Sequence, residues 1–249
     1  MKLYFSGSIS VFFTFVFLSI LLLSACNDGK IHLESYYYPV KELKDGKIYI
    51  YESLQDSIPP SFWYYKSVLD GKLELLESQS FDTRMQINQF AIEKKVKSGM
   101  LLQSNTLYIP DSLGNKKPVK VEIMQKNMYP FSVMDTNGIF IYSVKWSAKA
   151  NTHNTVTRNR RFLGFEEHNY QGKPVKCAKF ELKELIEDYN DGYIEYKLNG
   201  VEYYGLHLGL IYYEKIVNDK MRLAYELKDI LSVDAFEKKY NTSFHPISQ

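Results

Sequence analysis

The sequence predicts a mainly β protein, a single antiparallel and strongly curled sheet (a half-barrel or open barrel) followed by a short C-terminal helix. Three observations carry that expectation. Apolar and polar residues alternate with a period of two in short runs bounded by Gly, Asp, Asn and Pro. Aromatic residues make up 15% of the 249 residues, with 21 Tyr and 15 Phe, types that suit a pleated surface. In Tyr204 to Tyr212, Gly205 and Gly209 share one strand face with His207, which permits sharp curvature.

In chain order, the first element is an address. Lys2 precedes an apolar run from Val11 to Leu23, broken only by Thr14 and Ser19, and Leu23-Ser24-Ala25-Cys26 follows. The run is shorter than the roughly 20 residues that cross a bilayer as a helix. It reads as a lipoprotein signal peptide over 1–25. Small side chains at Ser24 and Ala25 fit a signal-peptidase cleft, and the Cys26 thiol accepts a diacylglyceryl group before cleavage frees its amine. Each buried methylene contributes about 0.8 kcal/mol, so two or three acyl chains hold a protein on a membrane without a spanning segment. The expected location is the cell envelope, on a membrane through the lipid anchor, with the outer membrane as the expected destination. Residues 26–34 form the lipidated Cys and a polar tether, and 35–249 a single β-rich domain. With Cys26 used, Cys177 has no partner for a disulfide and reads as a small buried hydrophobe.

The strands follow. Lys47 to Glu52 is entered through the turn Lys44-Asp45-Gly46, and Ser61 to Val68 follows Pro59-Pro60. Asp70-Gly71 then connects to Leu73 to Ser78, a hairpin signal. Further strands are expected over 84–93, 99–109, 119–124, 138–147, 154–164 and 166–170. Residues 173–189 fit a strand, although Leu182, Leu185, Ile186 and Tyr189 also share a helix face. Tyr193 to Leu198, a turn at Asn199-Gly200, Val201 to Glu214, a turn at Asn218-Asp219-Lys220 and Met221 to Leu227 read as a three-stranded meander. A helix is expected over 232–240, where Asp234 and Glu237 have capping-box spacing and Val233, Phe236 and Tyr240 share a face.

Four blocks taken together, Tyr36-Tyr37-Tyr38-Pro39, Gly46 to Glu52, Arg158 to Gly164 and Tyr204 to Tyr213, resemble a group of uncharacterised Bacteroidetes-type lipoproteins over most of the mature chain. That resemblance implies an envelope address and assigns no catalytic residue. The glycine-bearing meander is also similar, in architecture only, to the half-barrel sheets of LolA/LolB-type lipoprotein carriers.

The charge is nearly balanced, 31 Lys and Arg against 29 Asp and Glu, which argues against nucleic acid as the partner. The five His residues form no HExxH or HxH, and the chain has no GxSxG, SxxK or P-loop. Neither a catalytic site nor a metal or other cofactor is therefore expected. Glu166-Glu167 and Glu184 with Glu187-Asp188 read as solvated faces. The basic run Arg158-Asn159-Arg160-Arg161 places Arg158 and Arg160 on one strand face. Two guanidinium groups there could hold a carboxylate or phosphate, or could solvate an exposed strand and blunt its pairing. Tyr204 and His207 are further candidate ligand contacts, although a His on a sheet is more commonly satisfied by its neighbours. The expected function is a non-catalytic envelope lipoprotein binding a lipid or other amphipathic ligand in a concave sheet. The alternative is an accessory subunit that docks on an envelope protein through aromatic surface and the Arg cluster.

Overall fold

Alternation decides the secondary structure almost throughout. The computed structural model describes residues 29–149, 151–190, 192–218 and 221–247. The signal peptide and Cys26 lie outside the described residues, as do Asp219 and Lys220. The described elements are β1 (Ile31–His32), β2 (Lys47–Ser53), β3 (Ser61–Asp70), β4 (Leu73–Phe81), β5 (Ile87–Val96), β6 (Gly99–Pro110), β7 (Lys116–Lys120) and β8 (Glu122–Pro130). They continue with β9 (Ser132–Val133), β10 (Ile139–Trp146), β11 (Asn154–Tyr170), β12 (Lys173–Asp188), β13 (Ile194–Gly205), β14 (Gly209–Asn218), β15 (Met221–Leu231) and α1 (Val233–Tyr240). The compact unit begins at Ile31, so β1 and the fully buried Leu33 belong to the fold.

Most strands adjacent in sequence pair antiparallel, but the sheet is not the open, curled half-barrel expected above. It closes. β2 pairs with β15, placing Tyr51 opposite Leu227. β6 pairs with β5 along one edge and with β8 along the start of the other, Met100 facing Tyr129. The result is a twelve-stranded ring, with β7 added beside the end of β6. Closure pairs the edges that a half-barrel would leave open, and bulges such as those at Phe162/Gly164 and Leu227/Asp229 provide the local bends a ring requires. Alternation tells which face each side chain takes. It does not tell which distant strand lies alongside, and closure rests on that.

Two further expectations fail locally. Asn199-Gly200 is not a turn: both lie within β13, paired to β12 and β14. A Cβ on Gly200 would come within 2.0 Å of the Glu214 carbonyl oxygen, so the glycine serves close strand approach. The turn lies instead at Leu206-His207-Leu208, which brings His207 out of the sheet. At the helix, Ser232 is the N-cap, accepting from the Ala235 N–H at 3.3 Å, while Glu237 accepts from the Phe244 N–H at 2.7 Å.

Part of the barrel is covered on its outside as well. Ile48, Ile50, Phe62, Tyr64 and Phe81 point outward and are buried under Phe236 of α1 and Phe244 of the tail that follows. This explains why β2 reads Ile48-Tyr49-Ile50-Tyr51 without a polar interruption, since both of its faces are buried. Along β11 to β13 the outward face carries Thr157, Arg161, Lys183, Lys197 and Asn199.

Candidate functional site

One end of the barrel is plugged by the chain that enters it. Residues 34–36 and 40–42 form single 3-10 turns flanking Tyr37-Tyr38-Pro39. Backbone bonds fix this segment to the wall: the Leu33 N–H donates to the Phe131 carbonyl (2.9 Å), and the His207 N–H donates to the Ser35 carbonyl (2.8 Å). The Tyr129 hydroxyl donates to the Leu33 carbonyl at 3.2 Å. Tyr36, Tyr37 and Tyr38 are buried, so this Tyr run is interior and offers no docking surface. Tyr38 stacks on Tyr65 (centroids 4.1 Å apart) and meets Tyr49 edge-on. Its contact with Gly209 is the second glycine requirement: φ there is +83°, and a Cβ would sit 2.4 Å from the Tyr38 ring.

Hydroxyls order this floor. Tyr65 donates to Tyr38 (2.7 Å) and Tyr51 donates to the Leu210 carbonyl (2.9 Å). The 3.4 Å contact between Tyr38 and Tyr51 is therefore made with Tyr38 as donor, giving a chain from Tyr65 to the Leu210 carbonyl.

Above the floor lie buried charges. On β11 the inward face reads Val156, Arg158, Arg160, Phe162, and both guanidinium groups are inside the barrel. Arg160 meets Glu202 of β13 bidentately, Nε–Oε2 at 2.6 Å and Nη2–Oε1 at 3.3 Å, while its Nη1 donates to the Met128 carbonyl at 3.3 Å. Tyr204 donates to the same carboxylate at 3.2 Å. Burial alone would push the Glu202 carboxyl up, but Arg160 outweighs it and holds it below the ordinary range. Arg158 contacts Glu184 Oε2 through Nε (2.7 Å) and Nη2 (2.6 Å), and Lys215 reaches Oε1 at 2.7 Å. Burial opposes ionisation of Glu184 too, yet Arg158 and Lys215 hold its carboxyl down at about 2. On the opposite wall Tyr37 donates to Glu93 at 2.5 Å, and burial pushes that carboxyl up to about 7.

Between these groups and the end opposite the plug lies a cavity of about 350 Å³. Trp63, Tyr142 and Tyr213 line its middle, and Leu107, Trp146 and Val156 line it farther from the plug. It falls within the size range of small-molecule sites, which are mostly apolar with a few placed polar groups. Both Trp residues of the protein face it.

Of the residues singled out in the sequence, Arg158, Arg160 and Tyr204 come together in the lumen. His207 does not: it is exposed on the turn at the plugged end, with φ +60°. Glu184, expected on a solvated face, is a buried ion-pair partner. Glu93, Glu202 and Lys215 belong to no sequence motif and escape a search by motif, while Tyr37 enters the sequence reading only within the block Tyr36-Tyr37-Tyr38-Pro39, with no role attached. The signal for the carboxylates is parity: Glu184 sits between Leu182 and Ile186 on one strand face, and Glu202 between Gly200 and Tyr204, so each charge interrupts an inward face. Cys177 is fully buried, its thiol pushed up to about 11 by burial. The described residues bring no three His, Cys, Asp or Glu side chains into metal-ligating proximity.

No protein-family model and no curated protein matches the chain. Two solved structures share its fold. One is a protein from Parabacteroides distasonis described as a lipoprotein, with TM-score 0.52, 12% identity, and coverage of 78% of this chain and 97% of that one. The other is described as an exported protein with a YmcC-like fold from Bacteroides fragilis, with TM-score 0.53, 13% identity, and coverage of 79% and 99%. At this level of identity the likeness speaks for architecture. The half-barrel implied by the similarity to LolA/LolB-type carriers gives way to the closed ring.

Proposed function

We propose that the protein is an exported envelope lipoprotein, anchored through Cys26, whose barrel takes up a small amphipathic ligand without chemically altering it. The observation that carries this reading is the cavity, in which aromatic and aliphatic walls surround a few fixed charged groups. A barrel needing only stability would fill its interior with side chains, because buried ion pairs are costly compared with well-packed apolar residues. The Leu23-Ser24-Ala25-Cys26 motif and the two structural neighbours, described as a lipoprotein and an exported protein, support the address. The outer membrane is the destination we favour.

Native mass spectrometry of the protein isolated from its own envelope tests the reading. The expected result is a bound small molecule that is lost on denaturation. A bare polypeptide mass, with no ligand acquired from an envelope lipid extract, overturns it. Docking on an envelope partner through the Arg cluster is the weaker reading, because Arg158 and Arg160 are committed inside the barrel.

A further inference from the structure

We propose that Arg158 and Lys215 together form the recognition point for the anionic head of the ligand, a single carboxylate, with the apolar body lying toward Trp146 and Val156. This rests on the reading of the lumen as a ligand site and names the class of ligand it takes.

The fixed charges around Glu184 do not balance one to one. Glu202 is matched one to one by Arg160, through two bonds to its two oxygens. Glu184 is not: its single charge serves both Arg158 and Lys215. Glu93 bonds to Tyr37 of the plug and, among the described residues, forms no ion pair with Arg158 or Lys215, so it is not the counter-ion of that pair. The Arg158–Glu184–Lys215 group thus carries one net positive charge in a low-dielectric interior, where an unmatched charge is expensive. Lys215 registers the surplus: burial and the neighbouring Arg158 hold its ammonium below the ordinary lysine range despite the bond to Glu184.

The geometry leaves that surplus available. Both Arg158 contacts end on one oxygen, Glu184 Oε2, leaving the Nη1 edge without a carboxylate among the described residues. Lys215 spends one of its three donors on Oε1. The side chains of Arg158 and Lys215 are 23% and 21% accessible, against 2% for Glu184 and 5% for both Arg160 and Glu202. Since both line the cavity, the exposed part is what a ligand would meet. Around them the chemistry changes over one residue pair. Tyr142 lies under the Arg158 guanidinium at 5.9 Å, and the next inward pair toward the far end is Val144 with Val156. An anionic head against Arg158 with an apolar body directed away from the plug follows that gradient. One surplus charge favours a monoanion over a dianionic phosphate.

Residues 27–249, which contain the whole compact unit, titrated with dodecanoate, dodecan-1-ol and dodecyltrimethylammonium below their micelle concentrations, test this at constant tail. Trp63 and Trp146 fluorescence and calorimetry report binding. Dodecanoate should bind at least about tenfold more tightly than the alcohol, the factor one charge-assisted bond is worth, and the ammonium more weakly than either. Arg158→Gln should abolish the preference and Arg158→Lys should keep part of it. Lys215→Met, which leaves the Arg158–Glu184 bonds in place, should reduce the preference even if Arg158→Gln fails to fold. Equal affinity for dodecanoate and the alcohol overturns the assignment and leaves the amphipathic-ligand reading standing, as does a preference that survives in folded Lys215→Met and Arg158→Gln. Failure of all three amphiphiles to bind overturns both.

Discussion

The Tyr37 hydroxyl donates to the Glu93 carboxyl at 2.5 Å, and this bond ties the plug to the barrel wall at a group whose titration is displaced upward. Burial moves Glu93 from its ordinary 4.5 to about 7. The folded state therefore holds this proton more tightly than the unfolded one, so the contribution of Glu93 to stability is greatest below pH 4.5 and is lost as the pH rises through 7. The loss is on the order of 3 kcal/mol. Comparing urea midpoints of the wild type and Glu93→Gln at about pH 5 and about pH 8, on either side of that titration, checks this. The variant should gain relative to the wild type at the higher pH, and a pH-independent difference would contradict it.

Glu184 works in the opposite direction. Its carboxyl is held at about 2, so its contribution is present above 4.5 and disappears as the pH falls toward 2. Acid unfolding monitored by Trp fluorescence should be shifted to lower pH, and flattened, in a Glu184→Gln variant measured against its own stability near neutral pH.

Removing one member of the Arg160–Glu202 pair leaves the other charged and buried. Glu202→Leu should destabilise by about 3–5 kcal/mol in urea unfolding, whereas Arg160→Met combined with Glu202→Leu should recover most of that loss. Additive losses in the double variant would show that the pair is not coupled.

Gly209→Ala tests the plug from the wall side. A side chain at φ +83° is strained by roughly 1–3 kcal/mol, and its Cβ would press on the Tyr38 ring. The expected outcome is a lower melting temperature together with faster hydrogen exchange at the Leu33 and His207 amides. A uniform loss of protection around the ring would instead place the damage in β13 and β14.

The anchor has its own test. Cys26→Ala should accumulate as a precursor that retains residues 1–25 and incorporates no labelled fatty acid. Normal maturation of that variant would refute lipidation.

Much of the wall is legible in the sequence. The Asp70-Gly71 hairpin, the Pro59-Pro60 entry to β3 and the helix that ends at Tyr240 follow from local rules that need only neighbouring residues. Ring closure is not legible, because the pairing of Tyr51 with Leu227 depends on contacts between distant parts of the chain. The turn at His207 escapes a local reading because Asn199-Gly200 has a hairpin's composition, while Gly200 is required by the approach of the Glu214 carbonyl. The lumen is half legible. Arg158 and Arg160 stand out by their charge, but Glu184 and Glu202 become their partners only once β12 and β13 lie beside β11 in register.

The seam between β2 and β15 also governs when the molecule can fold. It joins the first long strand to the last, so the ring cannot close before almost the entire polypeptide is available, and such distant pairing is slow to form. Until then Ile48 and Ile50 lack α1, which is made later still. For the export proposed above, that delay would be useful: a partly synthesised molecule has no completed barrel to obstruct its passage, and closure waits until both ends have reached the same side.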